Sequence, residues 1–227
     1  MNFLEWMLSF IFPESCEICE KNAVNYLCDQ CKINIQKSNI YLNQIDNYEQ
    51  DKNTFFDEHL YLFSYKDLIR DKIIKYKFGD CPYLYKMFSE FFVKNKIFNT
   101  FLKNYDIIIP VPLSKQKMRI RGYNQTELLA KNIAQSLLVQ TKILIKYKNN
   151  NSQSLLNREE RIENVKNVYK ITDMQKIKQK NIILFDDVYT TGATINECAR
   201  VLKEAGANKV GIITIAKEFY KTKEGIE

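Results

Sequence analysis

Asn181-Ile182-Ile183-Leu184-Phe185-Asp186-Asp187-Val188-Tyr189-Thr190-Thr191-Gly192-Ala193-Thr194 is the stretch that decides how this 227-residue chain is read. Its first residues form a short, unbroken apolar run, the pattern of a parallel strand buried on both faces. Two acids close the run over Asp186 and Asp187. A loop over 186–192, rich in hydroxyls and ending in one glycine, then opens into a helix over 194–205 with Ile195, Cys198, Val201 and Leu202 on its apolar face. A helix N-terminus leaves backbone N–H groups unpaired and carries partial positive charge, so an anion belongs there. Gly192 lets the backbone approach a phosphate. Thr190, Thr191 and Thr194 surround Ala193 with hydroxyl donors. Asp186 and Asp187 suit vicinal sugar hydroxyls and could hold Mg²⁺ directly or through water. A plain strand–turn–helix with Thr194 as N-cap accounts for Thr194 but not for paired acids followed by Thr-Thr-Gly. The stretch is therefore expected to bind a sugar phosphate.

The flanking sequence repeats the same alternation. Residues 105–111 (YDIIIPV), 142–147 and 210–216 read as further strands, and 124–139 as an amphipathic helix after a basic loop over 112–121. Strands alternating with helices imply an α/β fold with a doubly wound parallel sheet and ligands at the strands' carboxyl ends. Upstream, 60–65 has strand character. Residues 66–78 suit a helix with Leu68, Ile69, Ile73, Ile74 and Tyr76 in one stripe, stopped by Gly79. A second helix is expected over 82–101, begun by Pro82. Residues 44–58 are polar and aperiodic, so they read as linker. The resulting division is an N-terminal helix and cysteine module over 1–45, a linker over 46–59, and the α/β domain over 60–227. His59, beside that linker, is expected at the surface without a role. Cys198 is expected in the core.

Four of six cysteines cluster as Cys16-x-x-Cys19 and Cys28-x-x-Cys31. Two such pairs supply the four thiolates of a closed tetrahedral structural Zn²⁺ site, with no position left open for catalysis. A redox dithiol would need one pair and would leave the second unexplained. The opening MNFLEWMLSFIFPES is apolar but carries Glu5 and no basic leader; it reads as a short amphipathic helix ended by Pro13, not as a signal peptide. No apolar run reaches the roughly 20 residues of a membrane span, and a cytoplasmic chain is expected. The net charge of +7 invites a nucleic-acid partner. The chain is nonetheless crowded with Lys, Asn, Ile, Tyr and Phe, the residues of AT-rich codons, so charge alone does not specify one.

The 181–194 stretch resembles the signature of type I phosphoribosyltransferases. Pro110-Val111-Pro112-Leu113, Arg121-Gly122-Tyr123-Asn124-Gln125, Gln153-Ser154-Leu155-Leu156-Asn157-Arg158 with Arg161 and Asn164-Val165, Lys77-Phe78-Gly79 and the four-cysteine module together resemble the ComF family of competence-associated, phosphoribosyltransferase-like proteins, in that family's order. The resemblance implies a type I phosphoribosyltransferase fold that binds 5-phosphoribosyl-1-diphosphate with Mg²⁺. It implies a diphosphate loop over 112–124, carrying Lys115, Lys117, Arg119 and Arg121, whose planar guanidiniums suit two oxygens at once. A solvated basic surface is the other reading of Lys115 and Lys117. The family's mobile loop falls on 149–167, where Gln153, Arg158 and Arg161 would close over the ligand unless they form a solvated helix surface. The resemblance further implies natural transformation: handling incoming single-stranded DNA on the cytoplasmic side, beside a helicase-like ATPase and with no membrane span of its own. A conventional phosphoribosyltransferase acting on an unidentified acceptor is the alternative. Interleaved Lys and Tyr/Phe residues over 65–98 are the candidate DNA platform, although their helical spacing also suits a core.

Overall fold

The computed structural model describes residues 14–135, 137–148, 158–219, 221–222 and 225–226. The expected N-terminal helix and Gln153 lie outside them.

Six strands form the main sheet in the order β1-β2-β8-β7-β3-β4. They are β1 (Tyr41–Asn47), β2 (Glu58–Ser64), β3 (Ile107–Pro110), β4 (Leu138–Val139), β7 (Asn181–Tyr189) and β8 (Lys209–Lys217). All neighbours run parallel except the β1–β2 edge pair. β3 and residues 182–185 of β7 are unbroken apolar runs because both faces are covered, and their period of two divides the core. Ile108, Ile183 and Phe185 enter one apolar cluster. Ile107, Ile109, Ile182 and Leu184 enter the other.

The first face is covered by α2 (Asp67–Phe78), α3 (Leu84–Val93), α4 (Lys96–Leu102) and α6 (Gln125–Ile133). The second is covered by α8 (Ala193–Glu204), by α7 (Arg158–Val165), and by a separate antiparallel ribbon of β5 (Leu144–Lys146) and β6 (Tyr169–Ile171). The expected helix over 82–101 is two helices. Asn95 breaks it, its side chain accepting from Phe98 N–H at 3.1 Å as the N-cap of α4 and donating to Asn43 on β1 at 2.7 Å. The helix expected over 124–139 stops at Ile133, and Leu138 and Val139 pair with β3 instead. The linker expectation is corrected at its start: Gln44, Ile45, Asp46 and Asn47 pair with β2. A polar edge strand solvated on one side has no apolar period to read.

The cysteine segment is docked on this sheet. After the cysteine turns comes α1 (Asp29–Gln36), capped by Cys28, and Cys16, Leu27, Cys31, Ile35 and Ile40 join the same cluster as Phe63, Ile69 and Phe91. Glu17 fastens it to the helices, accepting from Lys75 at 2.7 Å, Lys72 at 3.1 Å and Tyr83 at 2.8 Å. Lys86 pairs with Glu14 at 2.6 Å and Lys32 with Glu90 at 3.0 Å. With so many partners, Glu17 is held below its ordinary carboxylate pKa against the opposing effect of burial. Breaking a half-buried, charge-assisted cluster strands its cations, so Glu17→Ala should cost about 2–3 kcal/mol. Denaturant unfolding of the two proteins checks this; an unchanged midpoint would show the segment is held by apolar contacts alone.

Candidate functional site

At the carboxyl ends of β3 and β7 a cleft of about 280 Å³ opens, lined among others by Lys77, Lys117, Arg121, Lys146, Asp186 and Asp187 and by residues 190–195. The acids do not sit in a loop, as 186–192 was expected to. Strand β7 continues through them to Tyr189, because Asp186 pairs with Thr214, Val188 with Ala216 and Tyr189 with Lys217 on β8. Each acid therefore has a fixed height on the sheet edge.

The turn after β7 is Thr190, Thr191 and Gly192. Gly192 has φ 73° and is the N-cap of α8, so no side-chain acceptor caps the helix from that position. A Cβ there would also run into the Tyr189 ring. Thr194 is thus inside the helix, not its N-cap as the plain reading had it, and its hydroxyl is in the cleft lining with Ala193. The 12-residue α8 aims its N-terminus at the cleft, which favours an anion there.

Both oxygens of Asp187 are engaged. Lys77 Nζ lies 2.6 Å from one, and Gln125 Nε2 donates to the other at 2.6 Å. Gln125 is held in turn by Arg121, which donates to its side-chain oxygen, and by Tyr76 OH, which donates to its carbonyl at 2.7 Å. Asp186 accepts the Asp187 backbone N–H at 2.8 Å. Burial, then the neighbouring Asp187 charge, raise its pKa from 3.8 to about 7.

The basic residues divide by helical period. Residues 115–121 are not a loop but a helix, α5 (Lys115–Arg121), capped by Ser114. Lys117 and Arg121, four apart, share its cleft face. Lys115 and Arg119 lie on another face and are absent from the lining. Burial lowers the pKa of Lys117, aided by the charges of Arg121 and Lys77. Burial and then Lys117 lower Lys146 to about 8. Four cations thus crowd around two acids, one of them easily neutralised. Their repulsion falls when an anion enters.

Arg158 and Arg161 lie on α7, whose backbone is described while those two side chains are not. Sequence reasoning assigned no role to Lys146 or Tyr169. A short strand gives no ligand signature, and only pairing in the β5–β6 ribbon sets Lys146 beside Tyr169 at the cleft. His59 was also misread: it is fully buried in β2. Its ring lies 4.7 Å from that of Tyr189. The Thr214 hydroxyl donates to Ala216 O at 3.1 Å, so His59 Nε2–H donates to Thr214 Oγ1 at 2.8 Å. Burial, then Lys217, hold the ring neutral by pushing its pKa well down. It serves as a prop behind the turn.

The four thiols of Cys16, Cys19, Cys28 and Cys31 all lie within 4.8 Å of one another. Cys19 and Cys28 Sγ are 3.7 Å apart. Thiolates on a tetrahedral ion with bonds of about 2.3 Å stand about 3.8 Å apart. The Cys31 backbone N–H donates to Cys28 Sγ at 3.5 Å, a contact that suits a thiolate. The cluster fits a metal ion.

Residues 126–225 match the family model described as phosphoribosyl transferase domain. The chain is 28% identical over 215 residues to "Competence protein ComFC" of Streptococcus pneumoniae, covering 91% of this chain and 82% of that protein. It is 33% identical over 150 residues to "Competence protein ComFC" of Bacillus subtilis, covering 64% and 58%. The chain is similar to ComF-type competence proteins over most of its length. Its fold is that of the type I phosphoribosyltransferases, with a four-cysteine cluster near the N-terminus. "DNA utilization protein YhgH" of Escherichia coli is 30% identical over 109 residues, or 47% of each chain. The chain thus spans 58% and 47% of the length of two of these relatives. No described helix is long and apolar enough to cross a membrane.

Asp186 gives the site a pH signature. Its folded pKa lies above its unfolded one, so the folded state binds the proton more tightly. That contribution is full below about pH 4 and is lost as pH rises through about 7. Asp186→Asn should therefore raise the melting temperature more at pH 8 than at pH 5. Thermal melts at both values check this; an equal shift at both would mean Asp186 is ionised throughout.

Proposed function

We propose that the cleft binds 5-phosphoribosyl-1-diphosphate, or a closely related sugar phosphate, with Mg²⁺, and that the protein serves natural transformation by handling incoming single-stranded DNA. The observation that carries the ligand is the convergence of Lys77, Lys117, Arg121 and Lys146 on Asp186, Asp187 and the N-terminus of α8. A sugar bearing phosphate at one end and diphosphate at the other matches that layout. The 5-phosphate falls to the backbone and hydroxyls of Thr190, Thr191, Gly192, Ala193 and Thr194. The diphosphate falls to Lys117 and Arg121, with Lys146 opposite. The sugar hydroxyls fall to the two acids, Lys77 and Gln125 holding Asp187 in place. Asp186 offers a hard oxygen donor for Mg²⁺, which would supply charge neutralisation between acid and diphosphate. The DNA role is supported by the names of the relatives, two of which are competence proteins and one a DNA utilization protein.

Zn²⁺ is the ion proposed for Cys16, Cys19, Cys28 and Cys31, since a closed set of four thiolates suits it best. Structural zinc contributes roughly 10–16 kcal/mol of apparent binding free energy in small modules. Because this cluster shares a core with the sheet helices, Cys28→Ser should lower the melting temperature of the whole protein. Metal analysis after reducing, chelator-free purification should find one Zn²⁺ per chain; none would refute the assignment.

Asp187→Ala removes a charged partner worth about 1.5–3 kcal/mol, so the dissociation constant for 5-phosphoribosyl-1-diphosphate with Mg²⁺ should rise roughly ten- to over a hundredfold. Calorimetry measures it. Identical constants for mutant and parent would remove Asp187 from the site, and no binding by the parent would refute the ligand.

A further inference from the structure

The rings expected to form a DNA platform over 65–98 are mostly not available. Tyr76, Phe88, Phe91, Phe92 and Phe98 are buried in the core. Tyr65, Tyr83 and Tyr85 are half-buried, and Phe78 is the one fully open ring of the segment, 72% exposed at the lip of the cleft, with the Arg121 guanidinium 4.9 Å from its ring centre. Next to it runs α5, whose outer residues combine exposed apolar groups, Met118 and Ile120, with Lys115 and Arg119. Neither Lys115 nor Arg119 makes an ion pair among the described residues. Tyr147 follows the cleft-lining Lys146 and is 44% exposed, with Lys148 and Lys170 each 5.3 Å from its ring centre. By contrast, Lys32, Lys72, Lys75 and Lys86 beside the cysteine cluster are all ion-paired.

An open aromatic ring beside uncommitted cations is what an unpaired strand needs. The ring stacks on any base, and the cations follow the phosphates. One such cluster, Phe78 with α5, borders the cleft mouth, and a second, Tyr147 with its lysines, directly follows the cleft residue Lys146. We infer that single-stranded nucleic acid crosses the mouth of the sugar-phosphate cleft, stacking on Phe78 and Tyr147 and held by Lys115, Arg119, Lys148 and Lys170. The inference rests on the single-stranded DNA reading above and assigns that reading a surface. It also carries a consequence neither site has alone. Lys117 and Arg121 face the cleft from the same helix whose Lys115 and Arg119 hold the strand, so the two anions lie on opposite sides of one short helix and repel each other. Each then weakens the other by the same factor, because coupling between two ligands is reciprocal.

Fluorescence anisotropy with a labelled oligothymidylate of about twenty nucleotides, on the full chain at several salt concentrations, tests the surface. Lys115→Ala with Arg119→Ala should lower the log–log salt slope by about 1.4, or 0.7 for each of two phosphates. Phe78→Ala should weaken binding about fivefold to over a hundredfold, the range for one lost base stack. Lys178→Ala with Lys180→Ala removes the same charge from exposed positions before β7, at the far end of the sheet, and should change little. Saturating 5-phosphoribosyl-1-diphosphate with Mg²⁺ should weaken the oligonucleotide. A parent that binds, but loses as much from the Lys178/Lys180 pair as from the Lys115/Arg119 pair, would overturn this surface and leave the DNA reading standing. A parent that binds no oligonucleotide even at low salt would take the DNA reading down with it. Polyglutamate bound as tightly, and lost on the same variants, would make the surface an acidic-protein site and overturn the inference.

Discussion

The carboxylate of Asp187 is the constraint around which the cleft is organised. It is buried, and a buried carboxylate is tolerated only when both oxygens have partners. Those partners come from two different helices. Lys77 reaches it from the last turn of α2, and Gln125 from the first turn of α6. Satisfying one side chain therefore fixes the spacing of α2 and α6 over the end of β7. Arg121, Tyr76 and Gln125 extend the same network outward, so the basic rim and the acidic floor are positioned by one connected set of bonds. A ligand with a negative end and hydroxyls in the middle meets donors and acceptors already oriented, which reduces the ordering cost of binding.

Asp186 stands in contrast to its neighbour. It has no cation within ion-pair distance among the described residues, and it sits beside the carboxylate that Lys77 engages. Its proton is correspondingly retained near neutrality. Two adjacent acids with the same chemistry thus have different partners, and the difference follows from which of them the helices reach. A cation or a sugar hydroxyl entering beside Asp186 meets an acid that no helix side chain engages among the described residues, its hydrogen bond going to the Asp187 backbone.

Much of this was legible in the sequence, for identifiable reasons. Ile182, Ile183, Leu184 and Phe185 announce a strand covered on both faces, and the hydroxyl-rich stretch ending in Gly192 announces a turn into a helix, because both depend on local chemistry. The four-cysteine spacing is equally local. What was not legible depends on contacts between distant segments. Nothing in the neighbourhood of Lys77 or Lys146 tells that they meet in one cleft. Asp187 looked like a loop residue because its strand is extended only by pairing with β8. His59 looked like a linker residue because its polar flank, residues 44–58, hides an edge strand. The distinction between Lys117 and Lys115 became visible once 115–121 was a helix, where a spacing of four carries direction and composition does not.

The sharing of one core between the cysteine segment and the sheet has a consequence for how the chain is made. Cys16, Leu27, Cys31 and Ile35 are synthesised before Phe63, Ile69 and Phe91, the residues they pack against. An N-terminal segment that emerges first has no apolar partner until α2 and α3 have followed it from the ribosome. A metal bound to four thiolates closes that segment locally, without waiting for the sheet. The ion would then act as a place-holder during synthesis, keeping reactive thiols and apolar side chains together until the helices that cover them arrive.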